Sequence, residues 1–236
     1  MKGYFLLTLS LMWLLLGCQP GNDELKKVAR EAMGASDFTK AVSYLDQAIA
    51  NDMQDEEAFN LRGVSKLEQG QYGQAAEDFT QALALNSQDY RYFYNRGNAL
   101  LEMSDLQGAL NDYNEAILLN VGVTDLYINR GNVFYRVAQY EQAAADFKYA
   151  LELDDQNAFT YFNLAKTQFL LDQFEEAITN LKTSIQLNTN YAPAFFWLGL
   201  AQLQVDNREE GCLTLQTAQR MGHGDAKDAI AENCGG

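Results

Sequence analysis

The stretch Asn95-Arg96-Gly97-Asn98 recurs unchanged at residues 129–132. A related stretch, Asn-Leu-Arg-Gly at 60–63, carries its arginine and glycine in the same register one interval earlier. A motif that returns at a fixed interval of this size indicates one structural unit repeated along the chain. The interval therefore decides how the rest of the sequence is divided.

Division at this interval gives six abutting blocks that together cover residues 22–225. Positions 8, 20 and 27 of every block hold only glycine, alanine or serine, whereas positions 4 and 24 hold only leucine, phenylalanine or tyrosine. Small residues let two helices approach closely, and large residues fill the space between them. The blocks are, in order, 22–55, 56–89, 90–123, 124–157, 158–191 and 192–225.

Each block reads as two helices, because its apolar residues recur at spacings of three and four. Turn-forming residues separate the two halves, for example at 68–72 and 102–106. This register resembles the tetratricopeptide repeat, whose period is 34. The resemblance implies an all-α fold, an α-solenoid right-handed superhelix of about six helix-turn-helix repeats, with the first helices lining a concave groove. Residues 226–236 predict a C-terminal capping helix, which a solenoid needs at its end.

Two departures from the resemblance bear on the helices. That family usually places proline at block position 32, where the second helix ends, and no block here has one. We therefore expect less sharply defined helix ends. The first block matches least well, so its first helix is expected to be frayed.

The first 17 residues differ in kind from the blocks. Lys2 precedes a nearly unbroken apolar run over 4–16, which is too short to span a bilayer comfortably and fits an export signal. The run ends in Leu-Leu-Gly-Cys at 15–18, which resembles the lipobox of bacterial lipoproteins. That resemblance implies a signal peptide over 1–17, lipidation of Cys18, and a tether over 18–21. An ordinary secretory signal, or an uncleaved anchor with an incidental cysteine, is the alternative.

Composition excludes some function classes. The formal net charge is −15, from 17 basic and 32 acidic residues, which argues against nucleic acid as a partner. The single histidine, His223, lies between glycines in a predicted turn. No stretch matches a phosphate-binding loop, a nucleophile elbow or a zinc-binding helix. The sequence therefore predicts a protein that is not an enzyme, with no cofactor and no metal.

Two further cysteines lie near the C-terminus. Cys212 and Cys234 are equally far from His223 in sequence, on opposite sides of the predicted turn at 222–224. Residues equidistant from the turn of a helical hairpin lie opposite each other, and an exported protein can be oxidised. The pattern predicts a disulfide; the alternative is a pair of buried free thiols.

One charge pattern follows the repeat. Arginine at position 7 and aspartate at position 23 occur together in blocks two to four, and both are replaced in block five, by Leu164 and Asn180. Charges that come and go together predict an ion pair between facing helices; the alternative is that the arginines bind carboxylates of a ligand. The predicted pairs draw on Arg62, Asp78, Arg96, Asp112, Arg130 and Asp146.

Asparagines at positions 6 and 9 are the candidates for binding. Their ladder resembles the groove of those tetratricopeptide superhelices that hold extended peptides, since an asparagine amide can bond a peptide backbone through both donor and acceptor. Asparagine is, however, common at these positions whether or not a ligand is known. With the aromatic residues between the rungs, the candidate groove residues are Tyr94, Asn95, Asn98, Asn129, Asn132, Tyr135, Phe162, Asn163 and Phe169.

These features predict a non-catalytic, membrane-anchored adaptor or scaffold that binds a peptide or helix of another protein in its groove. Its expected place is the bacterial cell envelope, on the periplasmic face of the outer membrane or the cell surface, held by the lipid anchor. Its expected partners are other envelope proteins or their extended segments. The alternatives are a structural assembly factor, similar to pilotins or outer-membrane assembly components, and a regulator of a wall hydrolase.

Overall fold

The computed structural model describes residues 21–235, and within this range the chain forms thirteen α-helices and no strand. The predicted all-α fold of repeated helix pairs is therefore confirmed. The export signal over 1–17, the lipidation site Cys18 and most of the tether lie outside the described residues. Among the helices of residues 21–235, none combines the length and apolar character that crossing a membrane requires.

The chain divides into two compact units, at Asn86 and Ser87. In the first unit, two helical hairpins pack on each other. Its helices are α1 (Asn22–Gly34), α2 (Phe38–Asn51), α3 (Glu56–Glu68) and α4 (Tyr72–Leu85).

The second unit stacks four hairpins and adds a short terminal helix. The first helix of each hairpin begins at the first residue of its block, so the hairpins recur with the period of the sequence. The helices are α5 (Tyr90–Glu102), α6 (Leu106–Leu119), α7 (Thr124–Arg136), α8 (Tyr140–Leu153), α9 (Ala158–Leu170), α10 (Phe174–Leu187), α11 (Ala192–Gln204), α12 (Arg208–Arg220) and α13 (Ala226–Cys234).

The two helices of a hairpin meet where a small residue faces a large one. In the second hairpin, a Cβ added to Gly63 on α3 would lie 2.6 Å from Cε1 of Phe79 on α4. In the third and fourth hairpins, Gly97 and Gly131 meet the rings of Tyr113 and Phe147 in the same way. The rings of Phe79, Tyr113 and Phe147 have no solvent-exposed surface. The repeated glycine is therefore explained by close helix packing, as its period predicted.

The turn inside each hairpin has the same backbone conformation. Block position 15 adopts a positive φ, between 57° and 73°, in all six hairpins, although only Gly70 is a glycine. The next residue donates its N–H to the carbonyl five residues earlier, as Gln139 does to Phe134 at 2.9 Å. This is the left-handed closure that ends many helices. Ala138 adopts it without the freedom of glycine, so tertiary packing rather than local preference holds the turn.

The expectation of poorly defined helix ends is wrong, because a different residue replaces the missing proline. The second helices α2, α4, α6, α8 and α10 all end at block position 30. Position 31 is always aspartate or asparagine, in an extended conformation. At Asp52, Asn120, Asp154 and Asn188 the side-chain oxygen accepts the N–H two residues later, for example Asp52 Oδ1 from Gln54 at 2.9 Å. Such Asx turns offer the backbone a local alternative to the helix, so each of these helices ends at a defined position.

The first helix is not frayed, because an ion cluster holds it. Nζ of Lys26 on α1 lies 3.0 Å from Asp55 and 3.1 Å from Glu57, which flank the start of α3. Burial by itself would raise the pKa of Asp55, but the hydrogen bonds from Lys26 and from the Ala58 N–H outweigh it and lower that pKa. The carboxylate therefore stays ionised and α1 remains attached.

The terminal helix α13 is attached covalently. Cys212 on α12 and Cys234 on α13 form a disulfide, with their Cα atoms 5.8 Å apart. In the turn between α12 and α13, the ring of His223 stacks on Phe196 of α11, with centroids 4.2 Å apart. His223 is therefore half-buried against the last hairpin, not an exposed turn residue. It holds the chain where α12 turns into α13.

Substitution of Gly63 tests the close packing of helices. Overpacking by one methyl group destabilises by about 1–3 kcal/mol, partly offset by the roughly 1 kcal/mol that alanine gains over glycine in a helix. We expect Gly63→Ala to lower the free energy of unfolding by about 0–2 kcal/mol, whereas an alanine that meets no neighbour should raise it by about 1 kcal/mol. Gly73→Ala on α4 is the matched control, because its added Cβ meets nothing within 4 Å. Denaturant unfolding followed by circular dichroism measures both; equal stability of the two variants would contradict the packing argument.

Loss of the disulfide tests the attachment of α13. We expect the Cys212→Ala/Cys234→Ala variant to lose roughly 2–4 kcal/mol of stability, because the bridge closes a loop of 22 residues. Amide hydrogen exchange should accelerate in α13 and stay unchanged in α9, which does not contact it. Reduction of the wild-type chain should produce the same pattern. Unchanged protection of α13 in both cases would show that packing alone holds the helix.

Candidate functional site

The candidate residues lie on one face of the second unit. The first helices α5, α7, α9 and α11 are neighbours in that order, each contacting the next. We call the surface that they form the first-helix face. All nine candidate groove residues belong to three of these helices, α5, α7 and α9.

The arginines of the repeated motif are held by aspartates of the same hairpin. Nε and Nη2 of Arg130 donate to the two carboxylate oxygens of Asp146, at 2.8 Å and 2.6 Å. The same bidentate contact joins Arg62 to Asp78 and Arg96 to Asp112, at 2.7–3.0 Å. Each guanidinium also lies over an aromatic ring at block position 4. The arginines are therefore engaged within the fold, which favours the structural interpretation over ligand binding.

Burial of these pairs is nearly complete on the acidic side. The Asp146 side chain is 8% exposed and that of Arg130 is 20% exposed. Burial raises the pKa of Asp146 above its ordinary value, although the Arg130 guanidinium acts to lower it. Without the arginine, the carboxylate would be left buried with no opposite charge, which is strongly destabilising.

The asparagines bond to one another across successive first helices. Nδ2 of Asn129 donates to Oδ1 of Asn98 at 3.0 Å, and Nδ2 of Asn163 donates to Oδ1 of Asn132 at 3.2 Å. Each contact joins position 9 of one block to position 6 of the next, and we call the two pairs the asparagine rungs. The hydroxyl of Tyr113 also donates to Asn98, at 2.7 Å, which fixes the orientation of that amide. Burial raises the pKa of Tyr113, so its hydroxyl keeps the proton that it donates.

This internal bonding corrects the expected use of the asparagines. A single amide was expected to engage a peptide through donor and acceptor together, but one polar atom of each is already bonded. Among residues 21–235, no group bonds Nδ2 of Asn98 and Asn132, or Oδ1 of Asn129 and Asn163. Each rung therefore offers one donor and one acceptor, on neighbouring helices. Asn95, the remaining candidate asparagine, lies half-buried on α5.

The candidate aromatic residues differ in their availability. Phe162 is 7% exposed and packs edge-on against Tyr191 in the core, so it cannot serve as the platform that was expected. Its position 5 points the ring between α9 and α11, where apolar burial is favoured. Tyr94, Tyr135 and Phe169 are half-buried and remain accessible at the first-helix face.

Sequence reasoning missed Lys166, which lies on the same face. Its ammonium is 4.6 Å from the ring centroid of Tyr135, 5.6 Å from that of Phe162 and 5.7 Å from that of Trp197. Burial lowers the pKa of Lys166. A signal was present in the sequence, because position 9 changes from asparagine in blocks three and four to lysine in block five. Only the three-dimensional structure shows that the rings of three helices meet around it.

The described residues contain no candidate metal site. Within residues 21–235, no group of three histidine, cysteine, aspartate or glutamate side chains could hold a metal ion.

Comparison with known families agrees with this geometry. Models of the tetratricopeptide repeat (TPR) match residues 60–120 and 124–157, and a further TPR model matches residues 169–206. The chain contains tetratricopeptide repeats. The matched ranges begin in the second block and reach into the sixth. No curated protein sequence matches the chain significantly.

Solved structures of TPR proteins share the fold. Pseudomonas aeruginosa PilF superposes with a TM-score of 0.77 at 18% identity, over 89% of this chain and 97% of its own. YrrB, described as a TPR protein with an unusual peptide-binding site, gives 0.73 at 20% identity, over 79% and 97%. MamA from Desulfovibrio magneticus gives 0.67 at 17% identity, over 71% and 95%. At these identities the likeness establishes the TPR solenoid fold alone.

The buried ion pair of the fourth TPR can be tested by copying the fifth. We expect Arg130→Leu to lose about 3 kcal/mol of stability, because Asp146 stays buried and unpaired. Addition of Asp146→Asn, which gives the leucine and asparagine of the fifth TPR, should recover about 1–2 kcal/mol. Thermal and denaturant unfolding measure both changes.

The same experiment has a pH signature. Since the pKa of Asp146 is raised by folding, protonation relieves the unpaired carboxylate, and the deficit of Arg130→Leu should grow as pH rises through that raised pKa. The double variant lacks this titrating group, so its own free energy of unfolding should not carry this pH dependence. A single variant as stable as wild type would mean that the pair contributes nothing.

Proposed function

We propose that this protein is a non-catalytic adaptor, tethered to a bacterial envelope membrane through Cys18. In this proposal the first-helix face binds an extended segment of another envelope protein. The observation that carries the proposal is the pair of asparagine rungs, each of which leaves one amide donor and one acceptor unbonded within the described chain.

The arrangement matches the needs of an extended backbone. An extended peptide presents carbonyl acceptors and N–H donors in alternation, and main-chain hydrogen bonds of this kind give affinity without demanding one sequence. Nδ2 of Asn98 would donate to a carbonyl, and Oδ1 of Asn129 would accept an N–H; Asn132 and Asn163 would repeat the pattern. Because internal bonds already orient these amides, less conformational entropy is lost on binding.

A membrane tether would complement this mode of binding. Acyl chains hold a protein at a bilayer in proportion to their buried methylene groups. Confinement to a membrane raises the effective concentration of partners at the same surface. Moderate affinity of the first-helix face would then suffice for an adaptor.

An alternative function, assembly of folded partners through a different surface, rests on another observation. Leu118 near the end of α6 is 76% exposed, and Val121 in the loop that follows is 58% exposed. Exposed apolar surface of this kind can mark a site of interaction with another protein. This surface belongs to the second helices and their loops, so the two functions are separable by mutation.

Selection from random peptides tests the proposed function. We expect the full chain to enrich binders from twelve-residue peptides displayed at the N-terminus of a phage coat protein, so that no peptide has a free C-terminus. The affinity of selected peptides is then measured for the Asn98→Asp/Asn132→Asp variant. Aspartate keeps Oδ1, which the internal rungs need, and removes only the outward donor. Loss of two hydrogen bonds predicts roughly tenfold weaker binding.

A charge-matched control separates this effect from general repulsion. Asn111→Asp/Asn190→Asp adds the same two charges at exposed positions away from the first-helix face. We expect it to bind the selected peptides like wild type, and both variants to unfold near the wild-type temperature. Failure to enrich any peptide, or equal weakening by the two variants, would reject the first-helix face as a peptide site.

A further inference from the structure

The series of asparagine rungs is followed by one more pair of equivalent positions, on α9 and α11, which holds different residue types. The first rung joins position 9 on α5 to position 6 on α7, and the second joins the same positions on α7 and α9. The corresponding pair on α9 and α11 is Lys166 and Trp197, with the ammonium 5.7 Å from the indole centroid. Asn163 and Lys166 are three residues apart and therefore share a helix face. The lysine thus stands where a third asparagine rung would be.

Lys166 differs in its partners from the other partly buried basic side chains of residues 21–235. Lys26, Lys66, Arg62, Arg96 and Arg130 each have a carboxylate within 4.0 Å. For Lys166, the described residues supply no carboxylate within that distance and no hydrogen bond, only aromatic rings. The chain carries nearly twice as many acidic as basic residues, so an unpaired lysine is not explained by a shortage of acids.

The rings around the ammonium define its surroundings. Tyr135, Phe162 and Trp197 attract it through their electron-rich faces, which holds the side chain in place. Aromatic rings do not replace the hydrogen bonds that an ammonium makes with an anion. Phe169 packs edge-on against Trp197, at 5.2 Å between centroids, and widens the apolar surface beside the lysine.

We propose that Lys166, with Tyr135, Phe169 and Trp197, binds an acidic side chain of an extended peptide together with an apolar side chain next to it. We call this group the lysine site. The carboxylate would take the N–H donors of Lys166, and the apolar side chain would cover Phe169 and Trp197. The inference rests on the proposed function, because it assigns the third step of a ladder whose first two steps contact the peptide backbone.

An internal aspartate or glutamate fits better than a terminal carboxylate. The apolar surface that the lysine site offers beside the ammonium reaches from Phe169 on α9 to Trp197 on α11, so a segment that covers both the lysine and this surface continues past the ammonium. Neighbouring helices pack about 8–10 Å apart, and an extended chain advances about 3.3 Å per residue. The acidic residue should therefore lie about three residues from the residue held at the second rung.

The charge requirement can be measured on the selected peptides. We expect them to share an aspartate or glutamate beside an apolar residue, and replacement of that acid by its amide to weaken binding to the wild-type chain about tenfold. With Lys166→Met, the same replacement should have no effect. With Lys166→Glu, peptides that carry lysine at that position should bind better than those that carry glutamate. Lys182→Glu on α10, at an exposed lysine away from the first-helix face, is the matched control and should keep the wild-type preference.

The possible results separate this inference from the proposed function. Peptides that depend on Asn98 and Asn132 but show no acidic preference would overturn the lysine site and leave the proposed function standing. An acidic preference that Lys182→Glu removes as well would also overturn it, because the effect would then be long-range. Amidated and free-acid forms of each peptide should bind equally, and binding that needs the free terminus would overturn the assignment to an internal side chain. If no peptide is enriched, both proposals fail.

Discussion

The close approach of a small residue to a large ring inside each hairpin is the contact on which the other features depend. Gly63, Gly97 and Gly131 leave no room for a Cβ against the facing rings, so the two helices of a hairpin meet at one register only. One register per hairpin, repeated along the second unit, places equivalent positions of α5, α7, α9 and α11 side by side. Side chains that are far apart in sequence can then form a hydrogen bond, as Asn98 and Asn129 do. A solenoid obtains long-range order from such nearest-neighbour contacts alone.

Polar groups on this scaffold are largely satisfied by the scaffold itself. The Arg–Asp pairs lie between the helices of one hairpin, and the asparagine rungs lie between hairpins. Such bonding limits what is available for a partner, because a group that is already bonded gains little by changing partners. Of the candidate groups on the first-helix face, one half of each rung amide, the rings of Tyr94, Tyr135 and Phe169, and Lys166 remain available. Binding by this face therefore depends more on the direction and spacing of its unbonded donor and acceptor atoms than on the number of its polar residues.

The lysine site stands out because it breaks a pattern. A repeat protein gives its own internal reference, since equivalent positions occupy equivalent surroundings. Asparagine at position 9 in the third and fourth TPRs is replaced by lysine in the fifth, while aromatic residues gather from three helices around it. Burial disfavours the charged form of Lys166, and no carboxylate among residues 21–235 forms an ion pair with it. The same comparison of equivalent positions shows that Leu164 and Asn180 of the fifth TPR together replace the Arg–Asp pair of the preceding TPRs.

The sequence by itself determined the all-α repeat fold, the block boundaries and the pairing of position 7 with position 23. Each of these features recurs at the period of the sequence and can therefore be read from the sequence alone. It also allowed the pairing of Cys212 with Cys234, since distance from a turn sets which residues face each other. Only the tertiary structure decided which polar atom of each asparagine remains unbonded and available to a partner. It also showed that Phe162 packs into the core and that Tyr135, Phe162 and Trp197 surround Lys166. It also revealed the Asx turns that end the second helices, where the missing proline gave the wrong expectation. These outcomes depend on contacts between different repeats or on side-chain hydrogen bonds, and neither is encoded in the period of any one position.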